Sequence, residues 1–337
     1  MAARVSLPLT LPMISIPPSI LHIHPEVRQA RENHKPVLAL ETTILSHGMP
    51  YPENVSFALR SEAVVREAGV VPAAIGIISG KIVVGLDHDQ LTQLCRADEV
   101  EKVAVRDISH VLFRKKHGAT TVSATMAIAA AAGISVFATG GIGGVHRNLS
   151  QTIDISQDIA ALIQYPLVVI SAGAKAILDL PNTLEALEAA GVPVIGFGTT
   201  AFPSFYSRSS SLPVPFTVKT PTAIASWYAK HLNLGSTSAL LVANPVPAEN
   251  EIPQSEIDPL IAEALQDAEK REIRGKELTP YLLAKIVEKT AGRALKTNIA
   301  LALNNIRLGC EVATEICLRP VSPGLRRTER SEEAFPS

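Results

Sequence analysis

Short, β-branched apolar runs alternate with longer segments of helical period along most of the chain. Strands are predicted over Val37 to Leu40, Ala73 to Ile78, Lys81 to Val84, Val100 to Val105, Ile134 to Ala138, Leu167 to Ile170, Val194 to Phe197 and Ala239 to Val242. Most of these runs carry no charge, which is the pattern of strands buried on both faces. Between them the spacing predicts helices over Pro25 to Asn33, Pro52 to Gly69, Asp87 to Arg96, Ser123 to Ala132, Gln157 to Gln164, Leu184 to Ala190 and Pro221 to Leu232. Pro52 suits a first helical turn and Gly69 the residue past the last one. Three further helices, Glu256 to Ile273, Pro280 to Thr290 and Ala294 to Ile316, close the pattern. Such alternation predicts an α/β fold: a mostly parallel central sheet flanked by helices, with a helical carboxyl-terminal portion.

No internal linker is long enough to divide this pattern. The expected organisation is a loose amino-terminal arm over 1–22, a single catalytic α/β domain over 23–318 and a disordered tail over 319–337. The tail has no apolar period, so it cannot bury enough surface to offset chain ordering. Pro203 to Pro215 is rich in serine and proline and reads as a loop or lid.

Composition narrows the function. The 337 residues are 47% hydrophobic and 19% charged with a formal net charge of −1, so there is no basic excess for a nucleic acid backbone. Only 4% are aromatic, which leaves little for base stacking. Three cysteines without CxxC spacing argue against a disulfide framework and against zinc, and point to a reducing compartment. No run approaches the roughly 20 apolar residues that span a bilayer. The first 25 residues hold Arg4 and are cut by Pro8, Pro12, Pro17 and Pro18, with no cleavable apolar core, so no secretory signal is read. The expected location is the cytoplasm, with mitochondria the alternative for a eukaryotic source.

In open α/β sheets, ligands sit beyond the carboxyl ends of the strands. Glu41, Thr139, Gly140, Ser171 and Lys175 occupy such places. The loop GGIGGVHR, Gly140 to Arg147, lacks the third glycine of a dinucleotide fingerprint, since His146 stands there. Its glycines still allow close approach to a phosphate or sugar. Asp154 and Asp158 bracket Ser156 at a helix start, where any of the three could cap the helix and a carboxylate could hold Mg or Mn. Lys175 follows Ser171, Ala172, Gly173 and Ala174 at the expected first turn of a helix. Small apolar neighbours and a helix dipole there would favour a nucleophilic amine. Burial at a strand end fits Glu41 for general-acid duty. His47 and His146 have no histidine partner at helical spacing and are read as loop residues behind the reacting groups.

Taken together, ALETTILSHGMPYPEN, KVAVRD, HGATTVSATM, VFATGGIGGVHR, TIDISQD, SAGAKAILDLPNTLEALE, VANPVP, GKELTPYLLA and KTNIALALNN resemble the pseudouridine-5′-phosphate glycosidase family over about Ile23 to Ile316. The resemblance implies reversible cleavage of the C–C glycosidic bond of pseudouridine 5′-phosphate to uracil and ribose 5-phosphate. It implies a divalent metal, usually manganese, one per subunit, and a homotrimer acting on a small phosphosugar nucleotide, with no nucleic acid or membrane partner. By the same resemblance Glu41 is the proton donor and Lys175 the Schiff-base nucleophile that opens the ribose at C1′. Lys102, Val122, Ser156, Gln157, Asp158 and Asn298 fall on substrate-binding positions, and Asp154 on the metal ligand. Thr42 and Gln151 stand where other members have serine and histidine. The rival readings are another lysine-dependent phosphosugar lyase or aldolase, and a phosphosugar-binding regulator without turnover.

Overall fold

The computed structural model describes residues 16–96, 99–147 and 154–319. Its first half runs β1 (Leu21–Ile23), α1 (Pro25–Glu32), β2 (Val37–Leu40), α2 (Thr43–His47), α3 (Glu53–Glu67), β3 (Val71–Ile78), β4 (Lys81–Val84), α4 (His88–Arg96), β5 (Val100–Val103), α5 (Ile108–Phe113), β6 (His117–Thr120) and α6 (Val122–Ala131). The second half runs β7 (Val136–Ala138), β8 (Val145–His146), α7 (Gln157–Gln164), β9 (Val168–Ser171), β10 (Leu178–Asp179), α8 (Leu180–Ala189), β11 (Val194–Phe197), β12 (Phe216–Val218), α9 (Pro221–Asn233) and β13 (Leu240–Ala243). Helices α10 (Gln254–Lys270), α11 (Leu278–Lys289) and α12 (Arg293–Cys317) follow.

Eleven strands form one sheet in the order β1-β4-β3-β2-β7-β9-β13-β11-β12, with β6 joined to β3 and β5 to β6. From β3 through to β12 every neighbouring pair is parallel. Within this sheet the antiparallel pairs are those of β3 with β4 and β6. All four residues of β2, β9 and β13 are buried, because helices cover both faces. Helix α12 lies across β2, β7 and β9 and against α3 and α9, and it buries Leu301, Ile306 and Val312 there.

The expected strands and helices stand, most with ends moved by one to three residues, the usual uncertainty of a boundary. Strand β6 reads HGAT and has no apolar pattern. It is a strand because its polar groups find partners: the Thr120 hydroxyl donates to the Ile75 carbonyl at 2.7 Å, and its N–H to the Thr42 hydroxyl at 2.9 Å. Buried polar groups so bonded cost little. Lys175 is not on a helix, contrary to expectation. Ala174 bridges to Ile142 and Gly173 to Ser204, which ties this stretch to its neighbours instead of starting a helix, and α8 begins only at Leu180. The dipole argument for Lys175 therefore falls away.

Leu21 and His22, counted with the arm, pair with Ile82 and Val83 of β4. Arg319, counted with the tail, donates to the Thr222 carbonyl and the Ser226 hydroxyl. Residues 1–15 and 320–337, and the Gln151 departure, lie outside the described residues. No helix among the described residues is long and apolar enough to cross a membrane.

Candidate active site

The parallel strands deliver their chemistry at one edge. Glu41 follows β2, the segment Thr139 to Gly141 follows β7, and Lys175 lies four residues past the end of β9. Glu41, Gly140, Gly141 and Lys175 line one cleft, together with Lys102 of β5, Val122 of α6 and Asn298 of α12, while Thr139 stands just outside its lining. The cleft is the crevice beyond the strand ends that parallel sheets provide for ligands.

Glu41 carries a perturbed carboxyl there. Burial pushes its carboxyl above the usual carboxylate range, against the opposing pull of the Lys175 charge and of a hydrogen bond donated by the Thr139 hydroxyl. Asp158 adds to the rise and Lys102 reduces it. A carboxyl held toward its neutral form can give a proton. The Lys175 amine donates to the Gly141 carbonyl at 2.9 Å, so the segment Thr139 to Gly141 touches both groups.

Ser156 caps α7: its hydroxyl accepts the Asp158 N–H at 3.2 Å. That settles the capping question and leaves both Asp158 oxygens for other work. They accept the Ser123 N–H at 3.0 Å and the Gly143 N–H at 2.7 Å, tying the start of α6 to the glycine loop. The Asn298 amide oxygen is buried without a hydrogen-bond partner in the cleft wall. Such an orphan acceptor is costly unless a ligand or water meets it.

Six of the expected site residues, Glu41, Lys102, Val122, Asp158, Lys175 and Asn298, converge on the cleft, whereas Ser156, Gln157 and Asp154 lie outside its lining. The Gln157 amide oxygen instead accepts the Arg106 N–H at 3.2 Å. Asp154 sits beside the His146 ring, and its carbonyl accepts the His146 N–H at 3.0 Å. Among the described residues no three His, Cys, Asp or Glu side chains form a metal cage. A single carboxylate is a donor set that fits Mg or Mn, which keep several waters, and does not fit structural zinc.

Sequence reasoning undervalued His47 and His146, which both face the cleft rather than standing behind it. Burial pulls both imidazoles below their ordinary value, reinforced by the Lys102 charge and opposed at His146 by Asp154. It also missed Phe205 and the Thr279 to Leu283 side of α11, which close the cleft from segments remote in the chain.

A family model described as indigoidine synthase A like protein matches residues 26–315. A pseudouridine-5′-phosphate glycosidase of Solibacter usitatus is 51% identical over 296 residues, covering 88% of this chain and 99% of the relative. One from Geobacillus kaustophilus is 49% identical, covering 86% and 97%. The crystal structure of an indigoidine synthase A-like protein from Thermotoga maritima superposes with a TM-score of 0.81 at 38% identity, covering 88% of this chain and 97% of that one. The prealnumycin C-glycosynthase AlnA, solved in complex with ribulose 5-phosphate, superposes at 0.83 with 33% identity, covering 90% and 98%. The chain belongs to the pseudouridine-5′-phosphate glycosidase and indigoidine synthase A-like family.

Proposed function

We propose that this protein cleaves the C–C glycosidic bond of pseudouridine 5′-phosphate, reversibly, to uracil and ribose 5-phosphate through a Schiff base on Lys175. The observation that carries the reading is the shared anchoring of an amine and a neutral-leaning carboxyl, Lys175 and Glu41, to one three-residue segment in one cleft. An ordinary glycosidase relies on two carboxylates and an oxygen or nitrogen leaving group. A carbon leaving group asks for an electron sink, which an amine supplies.

The Lys175 amine attacks C1′ as the C1′–O4′ bond breaks, and O4′ takes its proton from Glu41. The Glu41 carboxylate then recovers a proton from the new ammonium. It passes that proton to C5 of the base as the C1′–C5 bond breaks, and the nitrogen lone pair forms the iminium. Water hydrolyses the iminium to ribose 5-phosphate and Lys175 ammonium, whose proton returns to Glu41. Lys102 contributes a point charge for the phosphosugar. Asp154 would hold a divalent ion, usually manganese, that supplies positive charge for the phosphosugar oxygens. The ligand of AlnA supports an open-chain intermediate, because ribulose 5-phosphate is itself an open-chain pentose phosphate. As part of the same reading, 23–318 acts as one catalytic unit and the subunits assemble as trimers.

Incubation with pseudouridine 5′-phosphate and manganese should release uracil by chromatography, which another phosphosugar lyase or a regulator would not do. Borohydride with ribose 5-phosphate should fix the sugar to Lys175 by peptide mapping, with Lys102 unlabelled. Lys175→Arg should lose turnover by several orders of magnitude. Labelling on Lys102, or near-normal turnover of Lys175→Arg, would overturn the mechanism.

A further inference from the structure

Asn305 sits in the middle of α12, fully buried, in a helix stretch otherwise packed with Leu301, Ile306 and Val312. An amide in such a place is costly unless it is bonded. Here it is well bonded. Its oxygen accepts from the Asn244 amide at 3.0 Å, and its nitrogen donates to the carbonyls of Thr139 at 2.8 Å and Gly140 at 3.3 Å. Asn244 follows β13, also buried, and its own N–H donates to the Ser171 carbonyl at 2.8 Å. The amide pair thus links the ends of β7, β9 and β13.

The carbonyls it grips belong to the segment that holds the reacting groups. Thr139 bonds the Glu41 carboxyl through its hydroxyl, and Gly141 bonds the Lys175 amine through its carbonyl. Gly140 and Gly141 have no side chains to restrict the backbone. A Cβ on Gly141 would stand 2.6 Å from the Phe205 ring, so the space for one is already taken. The backbone around β9 holds one side of the segment, through the Thr139 N–H to the Ile170 carbonyl at 3.0 Å and the Ala172 N–H to the Gly140 carbonyl at 2.9 Å. Asn305 is the side chain that holds it from the α12 side.

We propose that Asn305, braced by Asn244, is a positioning residue that fixes the Glu41 carboxyl and the Lys175 amine relative to each other. It touches neither substrate nor the reacting atoms. It acts through the Thr139 and Gly140 carbonyls, as supporting hydrogen bonds do when a site has to be held to within about half an ångström. The inference rests on the reading of Glu41 and Lys175 as the reacting pair.

The test compares Asn305→Ala, Asn305→Asp and the milder Asn244→Ala with Thr139→Val and the double variant Asn305→Ala/Thr139→Val. All are assayed on pseudouridine 5′-phosphate with manganese, at a temperature where near-ultraviolet circular dichroism shows each to be folded. For the Asn305 variants, kcat and the rate of borohydride trapping with ribose 5-phosphate should fall together by about 100-fold, with KM within about threefold. Asn244→Ala should fall by about tenfold, which keeps the test decisive if an Asn305 variant does not fold. The double variant should lose distinctly less than the product of its two single losses, because one arm of the device is already gone. A drop in melting temperature with kcat unchanged, or losses that multiply fully, would overturn the inference. Glu41→Gln and Lys175→Arg run alongside: if they stay active the mechanistic reading fails, and if they are dead while the Asn305 and Asn244 variants are normal, only the positioning inference fails.

Discussion

Replacing Gly173 by alanine perturbs the turn that carries Lys175, and its consequence divides into two parts that can be measured separately. Gly173 has φ of +76°, a region where a Cβ meets its own backbone at a cost of about 1–2 kcal/mol. The added carbon would also stand 2.1 Å from the Pro203 carbonyl oxygen, a backbone atom that cannot rotate away. Overpacking of that kind adds about 1–3 kcal/mol, so the expected loss is about 2–5 kcal/mol. Gly198 is the matched control: its φ is +64°, and nothing lies within 4 Å of its would-be Cβ. Gly198→Ala should therefore show only the backbone part, about 1–2 kcal/mol. Urea unfolding of the two variants measures both figures. Turnover, read where both are folded, should fall in Gly173→Ala, because Lys175 is displaced with its turn, and hold in Gly198→Ala. Equal destabilisation of the two would refute the close-approach argument.

Burial holds Glu41 protonated above its ordinary range, so the folded state keeps a proton that the unfolded chain releases, and stability is lost as pH rises from the ordinary carboxylate value through the raised one. Glu41→Gln has no such titration and should gain stability relative to the wild type across that window while losing uracil release; thermal melts of both from pH 4 to pH 7 check it, and a pH-independent gap would count against it. Cys95 and Cys310 are buried, with thiols pushed up to about 11 and about 12 by burial. Titration of the native protein with a chromogenic disulfide at pH 8 should modify no more than Cys317 quickly, and all three after unfolding; fast reaction of two thiols in the native protein would contradict the burial.

The alternation of apolar runs was enough to read the parallel sheet, because strands buried on both faces leave an unbroken hydrophobic signature. It failed at β6, where HGAT is stabilised by hydroxyls from Thr42 and Thr120 rather than by apolar area. Glu41 and Lys175 were legible as polar residues just past such runs. The helix expected at Lys175 was not there, since small residues read equally as a helical turn or as an irregular stretch bridging its neighbours. Asn244 and Asn305 were invisible as a pair. They are 61 positions apart, and only the packing of α12 over the strand ends brings their amides together.

Helix α12 covers strands made far earlier, and this sets a timing problem for biosynthesis. At about 5–20 residues per second, roughly 280 residues separate the synthesis of β2 from that of the last turn of α12, an interval on the order of 15–60 s. From the completion of β9 until α12 docks, the apolar face of β2, β7 and β9 that α12 will cover has no lid, and Asn298 and Asn305 arrive only with α12 itself. The nascent chain carries both Glu41 and Lys175 yet has no finished cleft, and its bare sheet face is the kind of surface on which neighbouring chains stick. Competence and solubility therefore arrive together, with the same late helix.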